Sequence, residues 1–284
     1  TLIKKIAGFA VERQIPLLQT TTLTRWAKSN LEERNQKVKK TIKKVYFFND
    51  EFTNHNDAKI GITAIKLLNR LGYKVIMPRV GESGRSWLSK GFVRKARKIA
   101  NENILLLKDI VNEDHPLIGL DPSTILCFRD EYPDLADEKL KQCAERLALS
   151  AVLLDEFLAS EMDAGHIQKD QFTREEKKIK FHGHCHQKAL ASTKSLKKIL
   201  SFPENYSAEE IGSGCCGMAG SFGFEKEHYE LSSKIAELII LPEIRKTSDN
   251  TIIAASGTSC RQQISEKSGR DVKHPAEVLF DALV

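Results

Sequence analysis

The residues best equipped for chemistry are cysteines. Of six in the chain, Cys127 and Cys143 stand in the first half and Cys185, Cys215, Cys216 and Cys260 in the second. Cys215 and Cys216 are adjacent, which strains a bridge between them. With no secretory context, metal or redox chemistry is the expected use of the thiols. Two thiols in a loop punctuated by Gly212, Gly214, Gly217, Gly220 and Gly223 pack little, so they read as ligands or redox groups. Four thiolates meeting at one point suit a [4Fe–4S] cluster and a tetrahedral zinc ion alike. The glycines, Gly217 above all, let backbone N–H groups approach such a centre. Cys127, in an apolar run, and Cys143, on a helix face, read as small core residues. His182, His184 and His186 alternate around Cys185; each reads as a ligand, a proton donor beside the centre or a polar strand end. Arg129-Asp130-Glu131 reads either as facing the same crevice or as a solvated ion-pair cluster.

The four sulfurs can meet only if the fold brings distant loops to one edge. Strand and helix patterns alternate along the chain, which predicts parallel α/β layers. A first unit reads as strand Val45–Phe48, helix Ala58–Leu71 stopped by Gly72, strand Lys74–Pro78, a basic helix from Val93 to Asn103 or beyond, strand Thr124–Phe128 and helix Leu135–Leu149. It closes on Ala151–Leu158. A second unit repeats the order with strand Ile179–His182, helix Lys188–Leu200, a short strand near Glu210-Ile211, helix Glu225–Leu238 and strand Thr251–Ala255, closing on Glu277–Leu283. Val45 matches Ile179, Gly84 matches Gly217, Thr124 matches Cys260, and Asp155 is set against Asp281. The expected fold is therefore α/β, two repeated parallel-sheet units related by pseudo-two-fold symmetry, with an N-terminal helical arm. The expected divisions are an arm over 1–42, a first unit over 43–160, a linker over 161–178 and a second unit over 179–284. In the second unit each cysteine follows the carboxyl end of a strand, the edge at which open parallel sheets bind ligands.

The composition agrees with a folded, water-soluble chain. Of 284 residues, 41% are hydrophobic and 29% charged, which excludes a disordered chain and a disulfide mini-protein. No apolar run is long enough to span a membrane. The net charge of +6 is spread among interleaved signs, so no nucleic-acid partner is expected. The chain opens at Thr1, which reads as an excised piece of a longer polypeptide. The expected location is cytoplasmic or peripheral at the inner face of a membrane.

Cys185, Cys215-Cys216-Gly217 and Cys260 resemble the CCG, or cysteine-rich, domain. Its members include the cysteine-rich subunit of heterodisulfide reductase, the glycolate oxidase iron-sulfur subunit and lactate-utilisation proteins. The family pattern is a lone Cys, then CCG, then CxxC; here Gly257 replaces the first cysteine of the CxxC. Glu82-Ser83-Gly84 and Thr124 stand at the corresponding places of the first unit, which therefore resembles a degenerate CCG unit without a cluster of its own. Phe52-Thr53, Leu88–Phe92, Gly119–Pro122, Arg129–Tyr132 and Gly257–Arg261 are similar to the C-terminal region of fused FAD-linked oxidases of the D-lactate or D-2-hydroxyglutarate dehydrogenase type. Arg13-Gln14-Ile15-Pro16 resembles the junction that follows their ferredoxin-like part.

The resemblance implies electron transfer. Flavin in an upstream domain would oxidise a 2-hydroxy acid, and ferredoxin-like domains or subunits would relay electrons here and on to an acceptor such as a quinone. Cys185, Cys215, Cys216 and Cys260 would hold one [4Fe–4S] cluster, beside Gly217, with His184, His186 and Arg261 around them. FAD would bind only upstream, so this chain alone is expected to lack dehydrogenase activity. Two other readings stay open: a zinc-bearing structural module, and a thiol/disulfide redox site like that of heterodisulfide reductase.

Overall fold

The computed structural model describes residue 4 and residues 6–284; residues 1–3 and 5 of the arm lie outside the described residues. Two four-stranded parallel sheets carry the chain. The first comprises β1 (Lys43–Phe47), β2 (Tyr73–Ile76), β3 (Leu117–Gly119) and β4 (Ala151–Leu153) in the order β2-β1-β3-β4. The second comprises β5 (Lys177–His182), β6 (Tyr206–Glu210), β7 (Ile252–Ala255) and β8 (Val272–Lys273) in the order β6-β5-β7-β8. Registers repeat as well: Phe47 pairs with Ile118 as Phe181 pairs with Ala254. The expected α/β fold of two repeated units is the fold observed.

The central strands form because their inward residues are apolar. Val45 and Phe47 of β1 and Ile179 and Phe181 of β5 are buried, while Tyr46 and Lys180 between them lie on the opposite face and are only partly buried. Both sheets share one core, because the helix Ala58–Arg70 packs against the helix Pro275–Ala282. The arm joins the units. Arg13 is fully buried and donates to Gly223 O at 2.7 Å, Ser232 Oγ at 2.9 Å and Glu266 at 3.2 Å. Leu23, at the start of the helix Leu23–Gln36, is buried against the first unit.

Several expectations change. Thr124–Phe128 is not a strand: Pro122–Ile125 is α-helical and Leu126–Phe128 is a 3-10 turn. Asp121 caps that helix by accepting from Ser123 N at 2.9 Å, and Pro122 opens it, so local capping overrides the β-propensity of the run. The strand is the preceding Leu117–Gly119, and Cys127 lies in the 3-10 turn. The helix read over Lys188–Leu200 is two, Cys185–Leu190 and Lys194–Leu200, with Gln187 Nε2 donating to Ser192 O at 3.2 Å across the break. Leu135–Leu149 resolves into a helix ending at Leu135 and another over Lys141–Ser150. The helix read over Glu225–Leu238 begins only at Tyr229.

The closing alignment slips by five residues. Glu156 accepts from Leu153 N at 2.9 Å and Glu277 from His274 N at 2.8 Å, each boxing the start of the helix after the last strand. Leu153 therefore corresponds to His274 and Asp155 to Ala276; Asp281 lies near the end of its helix. The two apolar closing segments look alike because both repeat at helical spacing, which fixes a face and leaves the register open.

Candidate metal centre

The strand order reverses between β5 and β7, and the carboxyl ends of these strands open into one crevice. Cys185 begins the helix after β5, Cys215-Cys216 lie in the loop after β6, and Cys260 lies in the first turn of the helix Thr258–Ser268 after β7. These three connections bring the four sulfurs into a continuous row. Cys185 contacts Cys215, Cys215 contacts Cys216, and Cys216 contacts Cys260. All four are free thiols. Cys216 and Cys260 are buried, whereas Cys185 and Cys215 are partly exposed.

Neighbouring sulfurs along the row shift one another in opposite directions. Hydrogen bonds from Cys185 and Cys216 pull Cys215 down to about 2. Cys216 also holds Cys260 well below the usual thiol range, assisted by His182 and His184. Their partners move the other way: the Cys215 neighbour and burial push Cys185 up, and Cys215 and Cys260 push Cys216 up. Metal binding would require the raised thiols, Cys185 and Cys216, to give up their protons.

Backbone geometry holds the pair in place. Gly217 has φ of +93°, and its N–H donates to Cys215 Sγ at 3.3 Å. A Cβ there would lie 2.3 Å from Ser232 O, so only glycine fits. Gln263, fully buried, donates through Nε2 to Cys216 O and Ser232 O, both at 3.1 Å.

The histidines separate into different roles. His182 is fully buried, and its Nδ1 lies 2.8 Å from Ser213 Oγ. His182 with Cys216 and Cys260 offers three ligand atoms, all within 4.8 Å of one another. His184 caps the Cys185 helix by accepting from His186 N at 3.2 Å. His184, Cys185 and His186 form a second such group, although His186 Nε2 also meets Arg85 Nη1 at 3.3 Å. Arg261 donates to Ala255 O at 3.1 Å, to Ser256 O and to Asp57, fixing the loop before Cys260.

The first unit grips this loop. Asp121 Oδ2 accepts from Thr258 N at 3.0 Å, and Asp57 also accepts from Thr258 Oγ1. Burial pushes the Asp121 carboxyl up, but His184, Ser123, Thr258 N–H and Arg261 outweigh it and hold the group below its ordinary value. Of the Arg129–Glu131 segment, Glu131 pairs with Arg85 beside His186. Arg129 instead pairs with Glu156 and donates to Ala151 O at 2.8 Å. Cys127 is buried in the first unit and donates to Ser123 O at 3.1 Å; Cys143 receives Arg146 Nη2 at 3.4 Å. Neither joins the row.

The corresponding place in the first unit holds no cysteine. Counting from the paired strands puts Glu51 opposite Cys185 and Ser83 opposite Cys216, with Thr124 opposite Cys260. Gly84 repeats the left-handed backbone of Gly217, at φ +81°. Ser83 donates to Glu51 through N at 2.9 Å and through Oγ at 2.8 Å. Sequence reasoning gave no site role to Glu51, Ser213 or Gln263, and read Asp121 and Arg13 only as parts of the segments that carry the resemblance. Asp121-Pro122 signals a helix start, while Glu51, Ser213 and Gln263 carry no local signal.

Tandem parallel α/β units with a four-sulfur crevice in one of them define the class of the molecule. No family model matches the chain. It is similar to D-2-hydroxyglutarate dehydrogenase of Escherichia coli K12, 28% identical over 277 residues, covering 95% of this chain and 26% of the relative. D-2-hydroxyglutarate dehydrogenase of Haemophilus influenzae is 26% identical over 299 residues, covering 100% of this chain and 28% of the relative. One of the subunits of the anaerobic glycerol-3-phosphate dehydrogenase of E. coli K12 is 26% identical over 273 residues, covering 95% of this chain and 66% of the relative. The chain thus spans about a quarter of the length of these D-2-hydroxyglutarate dehydrogenases. Its relatives are oxidoreductases by name.

Proposed function

We propose that this chain is the iron–sulfur electron-transfer region of a larger FAD-linked 2-hydroxy-acid oxidoreductase of the D-lactate, glycolate or D-2-hydroxyglutarate type. The observation that carries the reading is the row Cys185–Cys215–Cys216–Cys260, assembled from three loops at one sheet edge. The dehydrogenase relatives support it. The donor set fits a thiolate-ligated [4Fe–4S] cluster, and the fixed left-handed turn at Gly217 keeps a backbone N–H on Cys215 Sγ. When bound, such a cluster would accept and release one electron at a time. The chain's own residues would set its environment. Burial of Cys216 and Cys260 excludes water, Gln263 and Arg261 hold the backbone on either side, and Asp121 ties the first unit to the Cys260 loop. In this reading the flavin and ferredoxin-like parts lie in other domains or subunits, a quinone is one class of acceptor, and the isolated chain has no dehydrogenase activity. Among the described residues no helix is long and apolar enough to cross a membrane.

Anaerobic reconstitution with iron and sulfide, followed by visible and EPR spectroscopy, tests the reading. Broad absorbance in the violet and a reducible EPR signal are expected. A colourless protein that retains only stoichiometric zinc would overturn it in favour of a structural module, and thiol-dependent disulfide reduction without iron in favour of a thiol/disulfide site.

A further inference from the structure

A groove of about 970 Å³ lies at the amino ends of β1 and β2. Asp121, which follows the carboxyl end of β3, grips the Cys260 loop, so the groove and the cysteines sit at opposite edges of the first sheet. Three segments build its wall: the end of the helix Leu23–Gln36 with the loop into β1, the last turns of the helix Ala58–Arg70, and the linker before β5. Phe280 of the last helix stands beside them. The volume is that of a small-molecule site, which typically measures roughly 300–1,000 Å³.

The charge of this wall has one sign. Arg34, Lys37, Lys39, Lys40, Lys66 and Arg70 line it, and among the described residues no aspartate or glutamate does. Of these six cations only Lys37 has a carboxylate partner among the described residues, Glu33. Folding thus gathers like charges from two helices and a loop, and they repel one another unless an anion fills the space. Two members are held in place. Arg70 lies with its guanidinium carbon 5.9 Å from the centre of the Phe280 ring and donates to Val284 O. His166, also in the wall, donates through Nδ1 at 2.8 Å to Glu161, which leaves its other nitrogen for a ligand. Glu161 is buried and already accepts from Lys43 Nζ and Tyr73 OH, both at 2.7 Å.

We propose that this groove binds a soluble polyphosphate anion, either a nucleoside di- or triphosphate or a free oligophosphate. Phosphate oxygens accept charge-assisted hydrogen bonds from lysine and arginine, and arginine can offer two in parallel. Six cations around one hollow match a run of adjacent phosphates, and the concave wall suits a small molecule better than the flat face of a membrane. A ligand held there touches the first unit, the linker and the last helix of the second unit, so it ties the two units together from the edge opposite the cysteines. The site goes beyond the electron-transfer reading and stands whatever the crevice holds.

Isothermal titration of the 284-residue chain with sodium tripolyphosphate and with ATP, without divalent cations, tests the proposal. Expected are one equivalent bound, affinity that falls as salt is raised, and an unfolding midpoint that rises with ligand. Tighter binding of ATP would assign the groove to a nucleotide, and equal or weaker binding to a free oligophosphate. Lys39→Gln and Lys40→Gln, at exposed positions, should each weaken binding roughly tenfold. Lys98→Gln, an exposed lysine outside the groove, should bind as wild type does, and so should Cys216→Ser. Absence of saturable binding by both probes would overturn the proposal. So would equal weakening in Lys98→Gln, or unchanged affinity in the Lys39 and Lys40 variants. Association with anionic phospholipid vesicles or duplex DNA, without binding of either free probe, would overturn it in favour of a membrane or nucleic-acid face. A chain that binds ATP in the groove but builds no cluster would sink the electron-transfer reading and leave this site standing.

Discussion

His184 occupies the space that a side chain on residue 257 would need: a Cβ on Gly257 would lie 2.4 Å from His184 Cδ2 and 3.3 Å from Cys260 Sγ. The cysteine that the CCG pattern places at 257 is therefore sterically excluded while His184 holds its position as the cap of the Cys185 helix. Gly257→Ala should destabilise the fold by about 1–3 kcal/mol through overpacking. His184→Ala should relieve most of that penalty, so a double-mutant cycle read by urea unfolding is expected to show strong coupling. Additive effects would mean the two residues do not compete for space.

The thiol row distinguishes two classes of cysteine. Cys216→Ser should lose most of the iron retained after anaerobic reconstitution. Cys143→Ser, whose sulfur is outside the row, should keep it. Iron and sulfide analysis of the two variants side by side provides the measurement.

The turn that carries Cys216 depends on one missing methyl group. Gly217→Ala would force a left-handed backbone on alanine and drive its Cβ against the Ser232 carbonyl. A loss of about 3 kcal/mol is expected, with metal uptake falling in parallel. Thermal unfolding with and without metal would check both effects.

Asp155 should make stability depend on pH. It is almost fully buried, and its carboxyl is pushed up to about 7 by burial and then by Glu156. The folded state therefore keeps this proton over a range in which the unfolded chain has lost it, and stability falls as pH rises from about 4 to 7. The full shift corresponds to roughly 4 kcal/mol. Asp155→Asn removes the ionisation and can still meet Gln187, now 2.8 Å away. The variant should be more stable than wild type at pH 8 and lose that advantage near pH 4, as read by urea midpoints across pH.

His274 acts with the opposite sign. Burial and then Arg261 hold it down at about 3, so it stays neutral in the fold while the unfolded chain takes up a proton below about 6.5. Its contribution is present at neutral pH and is lost as pH falls from about 6.5 to 3. His274→Asn, which retains a cap acceptor, should flatten the acid side of the stability profile. An unchanged acid limb would show that His274 does not set it.

The paired strand–loop–helix repeats were readable because parallel sheets need apolar strand interiors and capped crossover helices, and both leave local marks such as Val45, Phe47 and Gly72. The cysteines were readable as a group because two adjacent thiols in a glycine loop give no sequence sign of a packing role, although Cys216 is in fact buried among apolar side chains. Thr124–Phe128 misled because an apolar, β-branched run is ambiguous until Asp121 caps it as a helix. The slip between Asp155 and Asp281 arose because helical spacing repeats without marking a register.

What the sequence determined by itself was the order of the elements and the identity of the groups able to bind metal, since both are encoded within short windows. The tertiary structure alone decided which of those groups share a crevice. The sulfur row and the exclusion of a side chain at Gly257 both depend on contacts between segments far apart in the chain. Such contacts follow from how two sheets and their loops pack, and no local pattern of residues records them.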